Sequence, residues 1–233
     1  MLSPTSQPNT ATAAILWTGG KDSALALYEA RRIGLQVGWL VTFAPPQPEF
    51  LAHPLAVMRL QAEALGLPHF VWPVSEPFAA NYEEGLRWLQ EKMGITTVVT
   101  GDIAEVGGQP NWIRERSRPV GMQVLTPLWG RNRRQLLEQL LAAEFEVVFS
   151  CVKKRWLAAG WAGRRLSADV IAELAVMRVE NGLDLCGEEG EYHTLVLDSP
   201  DFQRRLHFAG VQVCEQETLA YLRIDQAELQ SKP

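Results

Sequence analysis

Residues 15–23 read Ile-Leu-Trp-Thr-Gly-Gly-Lys-Asp-Ser, and the run Ala-Leu-Ala-Leu follows directly. A short apolar segment therefore passes through a glycine pair into a helix-forming segment, which predicts a strand, a tight loop and a helix. Gly19 and Gly20 have no Cβ, so the backbone can turn sharply there and approach a ligand closely. The N–H groups at the start of the helix favour an anion, and Lys21 adds a mobile positive charge beside two hydroxyl side chains. The segment predicts a phosphate-binding loop.

This loop differs from a Walker A loop. That pattern requires a Ser or Thr directly after the lysine, where this chain has Asp22. Thr-Gly-Gly-Lys-Asp-Ser instead resembles the Ser-Gly-Gly-Lys-Asp-Ser PP-loop of the ATP pyrophosphatases, whose fold is similar to that of Rossmann domains. The resemblance implies that ATP is split between its α and β phosphates, with AMP left on the substrate. A plain glycine turn at a helix N-terminus is the alternative interpretation.

Composition limits the class of protein. The chain has 233 residues, of which 47% are hydrophobic, enough for one large or two small domains. Its net charge of −5 argues against a dedicated nucleic-acid-binding enzyme, although basic clusters at 131–134, 153–155 and 164–165 keep that class open. The three cysteines are widely spaced and form no C-x-x-C, so neither a zinc site nor a redox pair is indicated. We expect a cytoplasmic protein without a membrane segment and without a metal held by protein ligands alone.

The spacing of apolar runs predicts two parts. Strands are expected at 14–17, 37–43, 69–72, 96–100 and 123–126, with helices at 22–33, 54–66, 78–93 and 112–118 between them. Such alternation is typical of an α/β fold, with a Rossmann-like parallel sheet covered on both faces. From residue 131 a smaller α+β pattern follows, with strands expected near 146–152, 194–197, 211–213 and 219–224. The predicted division is a disordered tail over 1–13, a PP-loop ATP-binding domain over 14–130 and a substrate-binding α+β domain over 131–233.

Two further segments carry candidate chemistry. Gly101-Asp102-Ile103 follows the fourth predicted strand, so Asp102 faces the same crevice as the phosphate loop. Asp102 is expected to bind Mg²⁺ through water or to orient a nucleophile, the alternative being a helix cap. Residues 186–194 read Cys-Gly-Glu-Glu-Gly-Glu-Tyr-His-Thr and place three carboxylates within four residues. This segment, called the acidic loop below, is suited to a cation such as Mg²⁺ or ammonium, or to an amine substrate; a solvated acidic turn is the alternative.

These motifs together resemble the diphthine–ammonia ligase family. The phosphate loop, Gly101-Asp102-Ile103, Thr126-Pro127-Leu128-Trp129 and the acidic loop occur in the family's order, and the segment 61–68 is similar as well. The resemblance implies an adenine nucleotide alpha hydrolase-like fold and a reaction that uses ATP and Mg²⁺. A carboxylate is adenylated, and ammonia then displaces AMP to leave an amide.

The residues and the resemblance give three sets of site residues. The nucleotide-binding set is Thr18, Gly19, Gly20, Lys21, Asp22, Ser23, His53 and Gly101. The substrate-binding set is Gly187, Glu188, Gly190, Glu191 and Thr194. The catalytic set is Lys21, Asp102, Glu188, Glu191 and His193, with His193 a candidate base because its ordinary pKa lies near neutrality.

Two residues depart from the family pattern. His193 stands where eukaryotic and archaeal relatives usually have Glu and bacterial relatives often have His, and Arg114 stands where the family often has Glu. The resemblance therefore implies a bacterial member whose carboxylate acceptor, small or protein-borne, differs from diphthine. The predicted function is an AMP-forming amide ligase acting with ammonium or an amine. The alternatives are a nucleotide-binding sensor without turnover and a PP-loop tRNA-modifying enzyme. The sequence leaves the acceptor, the nitrogen donor and the oligomeric state, a homo-oligomer included, open.

Overall fold

The N-terminal half is built on one parallel sheet. A computed structural model describes residues 12–232 of the chain. The five strands are β1 (Ala13–Leu16), β2 (Val37–Ala44), β3 (His69–Pro73), β4 (Thr97–Val99) and β5 (Gln123–Leu125). The sheet order is β3-β2-β1-β4-β5, and all four pairings are parallel. The order reverses between β1 and β4, so a crevice opens beyond the carboxyl ends of these two strands, where open α/β sheets bind ligands.

Four helices cover this sheet on both faces. They are α1 (Lys21–Arg32), α2 (Leu55–Leu65), α3 (Phe78–Met93) and α4 (Trp112–Ser117). Alternate residues of β1 point to opposite faces. Ile15 packs into the core with residues of α1 and α2, and Ala14 packs into a second core with residues of α3. The predicted Rossmann-like α/β fold is confirmed.

The C-terminal half is antiparallel. Helices α5 (Arg133–Ala142) and α6 (Ala168–Asn181) accompany a four-stranded sheet of order β7-β6-β10-β9 and a two-stranded sheet of β8 and β11. The strands are β6 (Glu146–Lys153), β7 (Tyr192–Asp198), β8 (Arg204–Phe208), β9 (Val211–Glu215), β10 (Leu219–Ile224) and β11 (Ala227–Ser231). The sequence did not predict β8 and β11, because each is only five residues long and has two apolar residues, which is too short an alternation to distinguish a strand from a loop.

The element boundaries bring one correction. Ala13 is a fully buried residue of β1, so the predicted tail over 1–13 extends too far; residues 1–11 lie outside the described part of the chain. Helix α2 ends as predicted at Gly66, which has the left-handed φ of 65°. In the described residues, no helix is long and apolar enough to cross a membrane.

The two halves share backbone contacts and a core. The Val196 N–H of β7 donates to the Gly19 carbonyl at 3.0 Å, and the Gln203 N–H donates to the Ala64 carbonyl at 2.6 Å. One continuous core cluster contains Ile15 of the first half and Phe149 of the second. The phosphate loop is consequently enclosed by the second half, although it belongs to the first.

Candidate active site

One cavity of about 560 Å³ lies at the carboxyl ends of β1, β2 and β4 and is closed on one side by the acidic loop. Most of the predicted site residues line it: Thr18, Gly20, Lys21, Asp22, Ser23, His53, Gly101, Asp102, Gly187, Glu188, Gly190, His193 and Thr194. Gly19 and Glu191 do not. The structure therefore brings together residues that are up to 176 positions apart in the chain, from Thr18 to Thr194.

The phosphate loop ends at the open N-terminus of α1. Gly20 is the N-cap residue and has no side chain to cap the helix; the Lys21 N–H donates to Thr194 Oγ1 at 3.1 Å, and the N-terminal turn that continues through Asp22 and Ser23 lines the cavity as an anion site. A Cβ on Gly20 would lie 3.1 Å from the Thr194 carbonyl and 3.3 Å from His53 Nε2. Glycine is needed here because the loop passes between those two groups.

Lys21 is not the mobile cation that the sequence suggested. Its side chain is buried, and its ammonium donates to Asp22 Oδ2 at 2.8 Å and to the Cys186 carbonyl at 2.5 Å. The Nζ atom also lies 5.1 Å from the centre of the Tyr192 ring. Burial alone would lower the pKa of Lys21, but the Asp22 carboxylate raises it to a net value above the ordinary one, so the ammonium stays charged. Lys21 thus ties α1 to the acidic loop.

The end of β4 packs directly on the phosphate loop. A Cβ on Gly101 would lie 2.5 Å from the Asp22 carbonyl carbon and 2.7 Å from the Ser23 nitrogen. Asp102 follows on the cavity wall, where its Oδ2 accepts from the Asn111 side-chain amide at 2.5 Å. This hydrogen bond holds the carboxylate in place at the head of α4.

Glu188 is the acidic-loop carboxylate that faces the cavity. Its Oε2 accepts weakly from the Ile103 N–H at 3.4 Å, which links the acidic loop to the end of β4. Burial, followed by the charge of Asp22, raises the pKa of Glu188 to about 7. A carboxyl group with this pKa exchanges a proton near neutrality, as a general base or acid requires.

Glu191 points away from the cavity, contrary to the position that the sequence suggested. It is 1% exposed, and its two oxygens accept from the N–H groups of Asp184 at 2.9 Å and of Glu189 at 3.0 Å. Glu191 lies immediately before β7, which begins at Tyr192, and the acidic loop folds back over it, so that backbone N–H groups surround its carboxylate. Glu191 braces the acidic loop.

Two histidines stand together beside the glycine pair. The rings of His53 and His193 meet edge to face, with centroids 5.2 Å apart. Burial, followed by the His193 ring, lowers the pKa of His53 to about 3, although a hydrogen bond to the Thr194 backbone opposes the shift. Burial and the charges of Lys21 and Lys153 also lower the pKa of His193. Both rings are neutral near pH 7 in the free protein.

Other cavity residues were not predicted from the sequence. An apolar wall is formed by Leu16, Val41, Phe43, Phe50 and Met58, and the Tyr82 ring stacks on that of Phe43 with centroids 3.9 Å apart. Burial and the charge of Asp102 raise the pKa of Tyr82, so its phenol stays protonated. The sequence gives these residues no distinguishing mark, because each fits an ordinary apolar strand or helix face.

Gln61 supports the phosphate loop from behind. Its amide donates to the carbonyls of Gly19 at 2.9 Å and Val196 at 2.8 Å, and its oxygen accepts from Trp17 Nε1 at 3.2 Å. It is fully buried in α2 among apolar residues. The sequence already shows a glutamine on an otherwise apolar helix face, but it does not by itself assign Gln61 a role.

Family comparison agrees with this geometry. The model of the diphthamide synthase N-terminal domain matches residues 11–124, and the model of the diphthamide synthase C-terminal domain matches residues 132–229. The chain belongs to the diphthamide synthase family. The first match ends within β5 and the second begins one residue before α5, where the parallel half gives way to the antiparallel half.

Curated relatives of this diphthamide synthase family member are named diphthine–ammonia ligase. The diphthine–ammonia ligase of Mus musculus is 24% identical, over 94% of this chain and 92% of the mouse protein. The protein of that name from Schizosaccharomyces pombe is 25% identical, over 94% of this chain but 39% of its own length. A solved structure described as a predicted subunit of tRNA methyltransferase from Methanocaldococcus jannaschii covers 80% of this chain and 98% of its own, at 18% identity and a TM-score of 0.43. That likeness is too weak to bear on function.

Proposed function

We propose that this protein is an ATP-dependent, AMP-forming amide ligase, which adenylates a carboxylate and passes ammonia or an amine to it. One observation carries the proposal. The N-terminus of α1 and the Glu188 carboxyl, with its pKa of about 7, face the same cavity from opposite halves of the chain. An anion site and a proton acceptor are the two groups that activation and amide formation need.

The cavity suits a nucleotide. Phosphate oxygens would accept from the N–H groups of the phosphate loop and α1, and the hydroxyls of Thr18 and Ser23 lie in the same wall. The apolar wall around Phe43 and Met58 suits the adenine ring.

The acidic side chains suit Mg²⁺ held jointly with phosphates. In the described residues, no cluster of three or more His, Cys, Asp or Glu side chains could hold a metal by itself. Mg²⁺ usually takes only one or two protein carboxylates together with substrate phosphates and water. Asp22 and Asp102 line the cavity and are the candidates. The ion would offset negative charge on the leaving pyrophosphate.

The two chemical steps assign roles to the chain. In the first, a carboxylate oxygen of the substrate attacks the α-phosphorus of ATP and pyrophosphate leaves, while the loop N–H groups stabilise the developing negative charge. In the second, the amine attacks the activated carbonyl, its proton passes to Glu188, and AMP leaves. Lys21 and Glu191 hold the two loops that carry these groups.

The relatives' name gives the reaction class but not this chain's acceptor. A diphthine–ammonia ligase joins ammonia to the carboxylate of diphthine, and we propose the same class of amidation here. His193 and Arg114 differ from the family pattern at two positions near the cavity. Arg114 directly follows the cavity-lining Ile113 in the chain. Its guanidinium donates to the Thr126 hydroxyl at 2.5 Å and stacks on the Trp129 ring.

The products of ATP test this proposal. The full-length protein would be incubated with Mg-ATP, ammonium and a metabolite extract, and the nucleotides would be measured by mass spectrometry. We expect AMP and pyrophosphate in equal amounts, and release that depends on both the extract and ammonium. Formation of ADP and phosphate as main products would overturn the proposal, and so would binding of ATP without any AMP release.

A further inference from the structure

The phosphate loop lacks a free side-chain cation. The ammonium of Lys21 is held by Asp22 and by the Cys186 carbonyl, and its side chain is 3% exposed. A departing pyrophosphate carries more negative charge than the loop N–H groups alone can offset. Beside the Mg²⁺ proposed above, other groups next to the loop are therefore candidates to supply positive charge.

His53 and His193 are placed to do so. His53 Nε2 lies 3.3 Å from the position of a Cβ on Gly20, at the N-cap of α1. His193 meets the His53 ring and precedes Thr194, whose Oγ1 accepts from the Lys21 N–H at 3.1 Å. Both imidazoles line the cavity. They therefore flank the anion site on the side of β7.

The charges around the pair are basic. Lys21 of α1 and Lys153 of β6 act on His193, and Lys21 and His193 act on His53. Cys151 pairs with His193 in the β6–β7 ladder, and burial raises the pKa of its thiol, so it is neutral. Asp22 and Glu188 line the same cavity, but neither is among the charges that act on the two rings. An anion entering here meets no carboxylate that already neutralises the histidines.

We propose that His53 and His193 form a subsite for the leaving pyrophosphate, and that one of the two rings takes up a proton from solvent when this anion binds. The proposal rests on the ligase function above. In the free protein the neutral rings add no positive charge to that of Lys21 and Lys153. A bound polyanion raises the pKa of a nearby imidazole, so the positive charge forms only while the anion is present and is lost when it dissociates.

Calorimetric titration of inorganic pyrophosphate into the full-length protein tests the subsite without turnover. At about pH 7, titrations in two buffers of different ionisation enthalpy report the protons taken up. The variants are His53→Gln and His193→Gln, and the matched control is His207→Gln on β8, which is exposed. We expect the wild type and the control to take up more protons than either cavity variant. We also expect each cavity variant to bind pyrophosphate roughly tenfold more weakly, as loss of one charge-assisted contact predicts.

AMP serves as the second titrant, because it lacks the β and γ phosphates. Its affinity should be the same in all four proteins. Equal pyrophosphate affinity and equal proton uptake in the wild type and both cavity variants would overturn the subsite, as would an equal loss of AMP affinity. Proton-linked pyrophosphate binding by a protein that never releases AMP would instead refute the ligase reaction and leave the subsite standing.

Discussion

At the scale of single residues, neighbouring carboxylates of the acidic loop do different work. Glu188 faces the cavity and has a pKa of about 7, whereas Glu191 is buried and accepts two backbone hydrogen bonds. Burial without a good partner raises a carboxyl pKa, and backbone N–H donors satisfy a buried carboxylate. The hydrogen-bond partners of each carboxylate, rather than its residue type, therefore decide whether it accepts a proton or braces the loop.

Glu188→Gln should slow amide formation by roughly 10²-fold or more, because the amide cannot take a proton from the attacking amine. In the wild type the rate should rise with pH through about 7, and this rise should be absent in the variant. Single-turnover assays across pH measure both effects. The matched control is Glu189→Gln, an exposed acid next in the chain. A variant that keeps the wild-type rate and pH profile would remove Glu188 from the mechanism.

The same substitution should change stability in a pH-dependent way. The folded-state pKa of Glu188 is raised from 4.5 to about 7, so its protonated form stabilises the fold at low pH and that contribution is lost as the pH rises through about 7. Glu188→Gln should therefore increase the free energy of unfolding at about pH 8 relative to the wild type, with a smaller difference at about pH 5. Urea unfolding at the two pH values checks the sign, and a destabilised variant at the higher pH would contradict it.

Lys21→Met should lower the free energy of unfolding of the protein as well as its catalytic activity. The substitution leaves the buried Cys186 carbonyl without its donor and Asp22 without its counter-ion. Loss of such partners costs roughly 1–3 kcal/mol. Urea unfolding is the measurement, and Lys92→Met on the exposed side of α3 is the control. Equal midpoints for both variants would mean that the Lys21 ion pair does not stabilise the fold.

At the scale of elements, the site depends on how closely the end of β4 meets the start of α1. Gly101 leaves no room for a Cβ against the backbone of Asp22 and Ser23. Backbone atoms at a helix N-terminus cannot turn aside as the end of a flexible side chain can. The position of Asp102 relative to the phosphate loop is therefore fixed by a contact that only glycine allows.

Gly101→Ala should push β4 and α1 apart. We expect a loss of roughly 1–3 kcal/mol in the free energy of unfolding, typical of overpacking, and at least about tenfold weaker ATP binding. Unfolding and calorimetry measure the two effects. Gly160→Ala is the control, because a Cβ there meets no atom within 4 Å. Wild-type ATP affinity in Gly101→Ala would show that this spacing does not matter for the nucleotide.

At the scale of the whole molecule, the second half completes the phosphate loop. Gln61 of α2 hydrogen-bonds Gly19 in the first half and Val196 of β7 in the second, and the core runs through both halves. The two family-model matches are thus parts of one packed unit. A substitution that breaks these hydrogen bonds is therefore expected to destabilise both halves of the chain.

Gln61→Met should lower the free energy of unfolding by roughly 1–3 kcal/mol, because a buried donor and acceptor lose their partner. Unfolding should remain a single transition, since both halves lose the same junction. Tryptophan fluorescence and circular dichroism in urea measure this, with Gln90→Met on α3 as the control. Two separated transitions in the wild type would contradict the single unit.

The sequence by itself determined the α/β order, most element boundaries and the phosphate loop. Apolar runs, glycine stops and the Thr-Gly-Gly-Lys-Asp-Ser segment are local signals, and a strand or helix terminus depends mainly on its own residues. The family motifs likewise pointed to segments 101–103 and 186–194 before any contact was visible. Strands β8 and β11 were missed because each is short and has only two apolar residues.

Only the tertiary structure decided what individual side chains do. Lys21 was expected to be mobile and is buried, Glu191 was expected in the cavity and braces a loop, and Gln61 joins two halves. The partners of these residues lie up to 173 positions away in the chain, as for Lys21 and Thr194. Burial, hydrogen bonding and pKa arise from such distant neighbours, and for that reason no local pattern could assign them.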